Sequence, residues 1–233
     1  MYTESVENYL KAIYKLSSRQ GGGYASTKAI AEVLEVRSAS VSKMLQRLEK
    51  MGMVHHRSYQ GVQLTSQGRR IALRTIRRHR LLETYLYEVL GYSWEQLHSE
   101  AELLEHYISD LFEAKIDEAL GFPTHDPHGD PIPSKEGKMP DIQHIALANV
   151  EVPGEVVIAR VPDSSAQFLC YLKEVGLLPK VSLKVLRKEP FNGPLLVVLG
   201  DREQVIGREV AGKIWVKKKR DLIDGGRIDE ENS

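Results

Sequence analysis

A mainly α-helical chain that ends in a small β domain is predicted by three observations. Apolar residues recur at helical spacing through roughly the first 120 of 233 residues. From Val150 the period changes to two. Near the start, the helices and the β-prone runs follow one another as helix, short turn, helix and hairpin, the order of a winged helix-turn-helix. The expected architecture is an N-terminal winged helix-turn-helix DNA-binding domain (1–72), a helical metal-binding and dimerisation domain (73–142), an SH3-like β-barrel (143–220) and a disordered tail (221–233). A chain of this length has room for two or three cores.

Val6, Leu10, Ile13 and Tyr14 place a first helix over 4–17. Three consecutive glycines make 19–26 a loop. Ser26 or Thr27 caps a second helix through Leu34. Ser38 is expected to cap a third, with Val41, Met44, Leu45 and Leu48 facing the core and Gly52 as its stop. Two β-prone runs in 53–66 flank Tyr59-Gln60-Gly61 and read as a hairpin. One long helix is expected from Ser66 to about Leu90, and another from about Trp94 to Leu120. Residues 121–141 are rich in Pro and Gly and read as a linker or ordered loop. Then "EVVIARV", "VSLKVL", "PLLVVLG" and "VIGREV" read as strands, with one helix at about 164–175.

The net charge of zero hides a segregation. Residues 1–80 carry 15 Lys/Arg against 5 Asp/Glu, and residues 81–135 carry 2 against 12. The basic third suggests a polyanionic partner, and the acidic middle suggests either cation binding or a solvated face. The single cysteine, Cys170, excludes an internal disulfide and fits a reducing, cytoplasmic setting; it reads as packing on its helix. No apolar run reaches the roughly 18 residues of a membrane span, and the polar N-terminus does not read as a signal peptide.

In a helix-turn-helix, the second helix enters the major groove while the first braces it. With the apolar face of the third helix turned inward, Arg37, Ser38, Ser40, Ser42, Lys43 and Arg47 remain outside. Lys and Arg donate to guanine edges or phosphates, and Ser bonds to either. Arg57, Tyr59 and Gln60 at the hairpin tip are placed to touch backbone or minor groove. Leu81, Leu82, Tyr85, Leu86 and Leu90 form a stripe that serves either a dimer face or the core.

The stretch "AELLEHYISD" brings Glu102, Glu105 and His106 to i, i+3 and i+4, with His98 one turn earlier. His79 and Glu83 form another i, i+4 pair. Neighbouring carboxylates repel unless a cation or proton lies between them. Imidazole and carboxylate ligands suit Mn2+, Fe2+, Zn2+, Co2+ or Ni2+. Two other classes stay open: a small-molecule-responsive winged-helix regulator without a regulatory metal, and a metallohydrolase. For the latter, "ELLEH" has Glu102 where the H-x-x-E-H motif needs its first His.

These segments together resemble the diphtheria toxin repressor family of iron- and manganese-dependent transcriptional repressors. The resemblance rests on "VENYLKAIYKL", "IAEVLEVRSASVSKMLQRLEKMGMV", "LTSQGRRIALRTIRRHRLLETYL", "HSEAELLEH" and "PHGDPIP". It implies a cytoplasmic homodimer, not an enzyme, whose metal-loaded form binds palindromic operators of metal-uptake genes. It implies His79, Glu102, Glu105 and His106 as metal ligands, joined by Asn8 of the first helix. Manganese-type members resemble this chain in carrying Glu at position 102, where iron-type members carry Cys; Mn2+ is therefore the expected metal and Fe2+ the second choice, with Zn2+, Co2+ or Ni2+ as surrogates. The first-helix ligand is usually Met or Asp rather than Asn8, and binuclear manganese members have Glu where this chain has Lys11. The resemblance further implies a second set of ligands among Glu83, His98, Asp126, His128 and Asp163, with Gln167 a weaker candidate. The β-rich end resembles the SH3-like, iron-transport-associated module of longer members.

Overall fold

The computed structural model describes residues 2–19, 23–57, 60–163 and 165–218. The proposed tail at 221–233 and Tyr59 lie outside these residues. Two compact units emerge: residues 1–85 with 99–124 and 131–140, and residues 86–98 with 125–130 and 141–233.

The first unit opens with α1 (Glu4–Arg19), α2 (Thr27–Val33) and α3 (Ser38–Lys50). The apolar positions of α1 lock inward, with Leu10 and Ile13 at zero exposure. Burying one such side chain fully contributes about 1.5–3 kcal/mol. Ser26 caps α2 by accepting from the Ala29 amide at 3.1 Å. Arg37, not Ser38, is the N-cap of α3, and it makes no side-chain cap bond. Val41, Leu45 and Leu48 are buried on α3, while Met44 is half-buried.

The wing pairs β1 (Val54–Arg57) with β2 (Gly61–Leu64) antiparallel. Ala25 extends it by exchanging backbone bonds with Val62 at 2.9 and 3.0 Å. Gly61 is required at that junction: its φ is +110°, and a Cβ there would lie 2.3 Å from the Ala25 carbonyl oxygen.

Thr65 starts α4 (Ser66–Glu88) by accepting from the Gly68 amide at 3.1 Å. The expected helix over 94–120 is in fact two, α5 (Leu97–Leu104) and α6 (Asp110–Ala119). Ser109 makes the break, because it turns extended (φ −78°, ψ 161°) and caps α6 through the Phe112 amide at 3.1 Å. Apolar spacing runs on across this break, so periodicity alone does not reveal it. Leu81 and Leu82 are buried with Ala101, Ile108, Ile116 and Ile132. The stripe Leu81, Leu82, Leu86 is therefore core, and only Leu90 of its aliphatic members is exposed.

In the second unit, β3 (Ile145–Ala146), β4 (Gly154–Arg160), β5 (Ser182–Lys188), β6 (Leu195–Leu199), β7 (Arg202–Ile206) and β8 (Trp215–Lys218) form one antiparallel sheet in the order β3-β8-β4-β5-β6-β7. Bulges at Ile158/Arg160 and Val185/Arg187 bend it. Two helices complete the unit, α7 (Ala166–Glu174) and α8 (Arg208–Lys213). "VIGREV" is not a strand: Val205 and Ile206 end β7, Gly207 is the N-cap, and Arg208 begins α8. The core of this unit includes Val156, Ile158, Leu169, Leu172, Val185, Val197 and Val216. Cys170 is half-buried and free.

Candidate metal centre and DNA-reading helix

In the first unit, α4 supplies His79, α5 supplies Glu102, and the turn after α5 supplies Glu105 and His106. Glu105 is the first residue past α5, yet its amide still donates to the Ala101 carbonyl at 2.9 Å, so the expected i, i+3 stacking of Glu102 and Glu105 holds at the helix end. The turn that follows brings in His106. His79 Nδ1 is 2.6 Å from Glu105 Oε2 and 3.3 Å from Glu102 Oε2. His79, Glu102 and Glu105 each offer one donor atom, all within 4.8 Å of one another. One nitrogen and two carboxylate oxygens at that spacing fit a divalent cation.

The first helix closes the cluster. His106 Nε2 lies 2.9 Å from Asn8 Oδ1 and 3.2 Å from Glu105 Oε1. His106 Nδ1 lies 2.6 Å from Glu7 Oε2. Lys11 donates to Glu105 Oε1 at 2.5 Å and also to Glu102. Glu7 was not legible as a participant, since a first-turn Glu reads as a solvated charge, whereas position 11 was already marked by the resemblance, which implies a Glu where this chain carries Lys11. Lys11 is only 5% exposed, and it follows Glu7 and Asn8 by one helical turn, which puts the three on one face of α1.

The electrostatics follow the packing. Burial opposes charge on His79, but the carboxylates of Glu83, Glu102 and Glu105 overcome it and raise its pKa well above the ordinary value. Burial likewise raises Glu102, yet the His79 hydrogen bond and the Lys11 charge hold its carboxyl far below the usual range. Glu83 is fully buried, with Oε1 3.1 Å from His79 Nε2.

The other candidate ligands belong to the second unit. Asp126 Oδ1 accepts from the amides of His128 and Asp130, both at 2.9 Å. The His128 ring stacks on Trp94 at 5.1 Å, and Trp94 Nε1 donates to the Pro127 carbonyl at 3.2 Å. Gly129 has φ +88°, and a Cβ would lie 1.9 Å from the Ala159 carbonyl oxygen, so this loop tolerates no other residue there. His98 Nδ1 lies 3.4 Å from Asp163 Oδ2. Gln167 is exposed on α7.

On α3 and before it, Arg37, Ser38, Ser40, Ser42, Lys43 and Arg47 are all exposed. Ser42 Oγ donates back to the Ser38 carbonyl at 3.0 Å, so its proton is engaged. On the wing, Arg57 and Gln60 are exposed, and the Arg57 guanidinium stands 5.4 Å from the Tyr24 ring centre.

Residues 1–62 match the model described as iron dependent repressor, N-terminal DNA binding domain, and residues 65–134 match iron dependent repressor, metal binding and dimerisation domain. Residues 145–218 match the FeoA domain. The HTH-type transcriptional regulator MntR of Oceanobacillus iheyensis is 41% identical over 109 residues, covering 47% of this chain and 72% of the relative. The chain belongs to the iron-dependent repressor family, that of the diphtheria toxin repressor. Members of this family are metal-dependent, DNA-binding transcriptional repressors rather than enzymes. The iron-dependent repressor IdeR of Mycobacterium tuberculosis H37Rv is 29% identical over 228 residues, or 92% of this chain and 97% of the relative. A solved manganese-dependent transcriptional repressor in complex with manganese is 37% identical with a TM-score of 0.82, covering 91% of this chain and 99% of that one. The small-molecule and hydrolase readings have no support in these matches. Among the described residues, no helix is long and apolar enough to cross a membrane.

Proposed function

We propose that this repressor responds to Mn2+, with Fe2+ as the second choice, and that His79, Glu102, Glu105, His106 and Asn8 hold the regulatory ion. The observation that carries the reading is the meeting of α1 with the α4–α5 cluster at His106, 2.9 Å from Asn8. Glu102 is a hard oxygen donor, which favours manganese over metals that prefer sulfur. A bound divalent cation would neutralise the crowded carboxylates there. The protein's own residues do the rest: Asn8 and Glu7 tether α1, and α1 packs in the same core as α3, the helix that reads DNA.

The partner is a palindromic operator duplex. Arg37, Ser38, Ser40, Ser42, Lys43 and Arg47 face the major groove, and Arg57 and Gln60 face the flanking backbone or minor groove. The homodimer face is assigned to Leu103, Tyr107, Leu111 and Phe112, exposed by 67%, 73%, 71% and 48%. Apolar side chains this open call for a partner surface. Glu83, beside His79 in the first unit, is assigned a supporting role in metal binding, and the same role is assigned within the second unit to Asp126, His128, His98 and Asp163. Fixing the winged helix-turn-helix through α1 on metal binding implies reciprocity, so operator DNA tightens metal binding by the same factor, about 5–150-fold for a coupling of roughly 1–3 kcal/mol.

The test is an anaerobic titration with Mn2+ and Fe2+, read by binding to duplexes selected from a random pool. Glu105→Ala and His106→Ala are expected to abolish the metal-dependent part of DNA binding while circular dichroism stays native. Normal metal-dependent binding by either variant sinks the assignment.

A further inference from the structure

The side chain of Lys11 is 6% exposed, and its ammonium donates to Glu105 at 2.5 Å and to Glu102 as well. It sits on α1, whereas its acceptors sit on α5 and the turn after it. A buried ammonium is costly unless it is paired, and here both acceptors are carboxylates that would also face a divalent ion. Two roles follow from one geometry. Without metal, the ammonium separates two carboxylates that would otherwise repel, and it ties α1 to them. With metal, the same fixed positive charge stands beside a dication and competes for the same oxygens. The surroundings agree: Glu7, Glu83, Glu102 and Glu105 crowd around His79 and His106, and Lys11 pairs with two of these carboxylates.

We propose that Lys11 is an internal counter-cation that holds α1 to Glu102 and Glu105 in the metal-free protein and weakens metal binding by competing for them. This rests on the metal-site reading above for its second half only; the clamp needs no metal. It makes Lys11 a positioning residue that sets the metal concentration at which the protein responds, and its side chain acts in both states with opposite sign.

The test uses the full chain stripped of metal with chelator. Lys11→Gln is expected to lower the thermal midpoint of the metal-free protein. The same variant is expected to bind Mn2+, followed by loss of the free-ion electron paramagnetic resonance signal, at least about tenfold more tightly, the scale of a unit charge repelling a dication about 6 Å away even at the dielectric constant of water. Lys11→Arg keeps the charge and is expected to restore both values towards wild type. A Lys that only packs would lower stability in both states and leave Mn2+ affinity equal or weaker; that result overturns the proposal. An unchanged metal-free midpoint overturns the clamp. Undiminished Mn2+ binding in Glu105→Gln instead overturns the metal-site reading, and the competition with it, while the metal-free midpoint still judges the clamp.

Discussion

Arg77 Nε donates to Glu113 Oε1 at 3.0 Å, linking α4 to α6 across 36 residues. The other oxygen of Glu113 accepts from Arg78 Nε at 2.9 Å. Arg77 also reaches Asp117 at 2.5 Å and the Pro133 carbonyl at 2.9 Å, and Arg78 reaches Asp110 at 2.6 Å. The Arg77, Arg78 and Glu113 side chains are 9%, 4% and 11% exposed. Glu113→Ala removes the shared acceptor and leaves two buried guanidiniums short of charge. Unfolding in urea should show a loss of about 3–5 kcal/mol. A loss below about 1 kcal/mol, the scale of a surface pair, would mean that water replaces the carboxylate.

Lys43 and Arg47 stand one turn apart on the exposed side of α3. Replacing either with Ala is expected to weaken operator binding while Mn2+ affinity measured without DNA stays unchanged. A base-edge contact should cost about 1–3 kcal/mol at one sequence position; a phosphate contact should weaken all sequences alike and reduce the salt slope by about 1. Unchanged operator binding in both variants removes α3 from the interface.

His144 carries a pH dependence of known sign. Burial lowers its pKa first, and the charges of Arg160, Lys217 and His125 lower it further, against a smaller opposite effect from Asp130. A group depressed in the fold binds fewer protons folded than unfolded. Its contribution is whole above the ordinary value of 6.5 and is lost as pH falls through the depressed value. The thermal midpoint is therefore expected to fall as the pH drops below the ordinary value of 6.5, and His144→Gln should flatten part of that fall. Parallel curves for the two proteins would show that His144 contributes nothing.

The charge segregation of the sequence takes on a different meaning in the fold. Arg74, Arg77 and Arg78 belong to the basic third, yet they pair with Asp110, Glu113 and Asp117 of the acidic middle. Part of the positive surplus is thus internal, and the surface available to a polyanion includes Lys28, Arg37, Lys43, Arg47, Lys50, Arg57, Arg69 and Arg70, all exposed. A charge count along a chain cannot separate these two fates, because pairing depends on which helices pack together.

Short-range patterns were enough for the winged helix and most of the strands: Leu10 and Ile13 face inward because helical spacing demands it, and Gly52 stops α3 with φ +70°. They were also enough to single out His79, Glu102, Glu105 and His106 by residue type. Tertiary structure alone decided that Ser109 breaks the second long helix, that Leu81 and Leu82 fill a core, that Glu7 joins the cluster from more than 90 residues away, and that Lys11 pairs there with Glu102 and Glu105. The physical reason is range. Periodicity and capping act within a turn or two of chain, whereas the partner of a buried charge is chosen by which surfaces exclude water together.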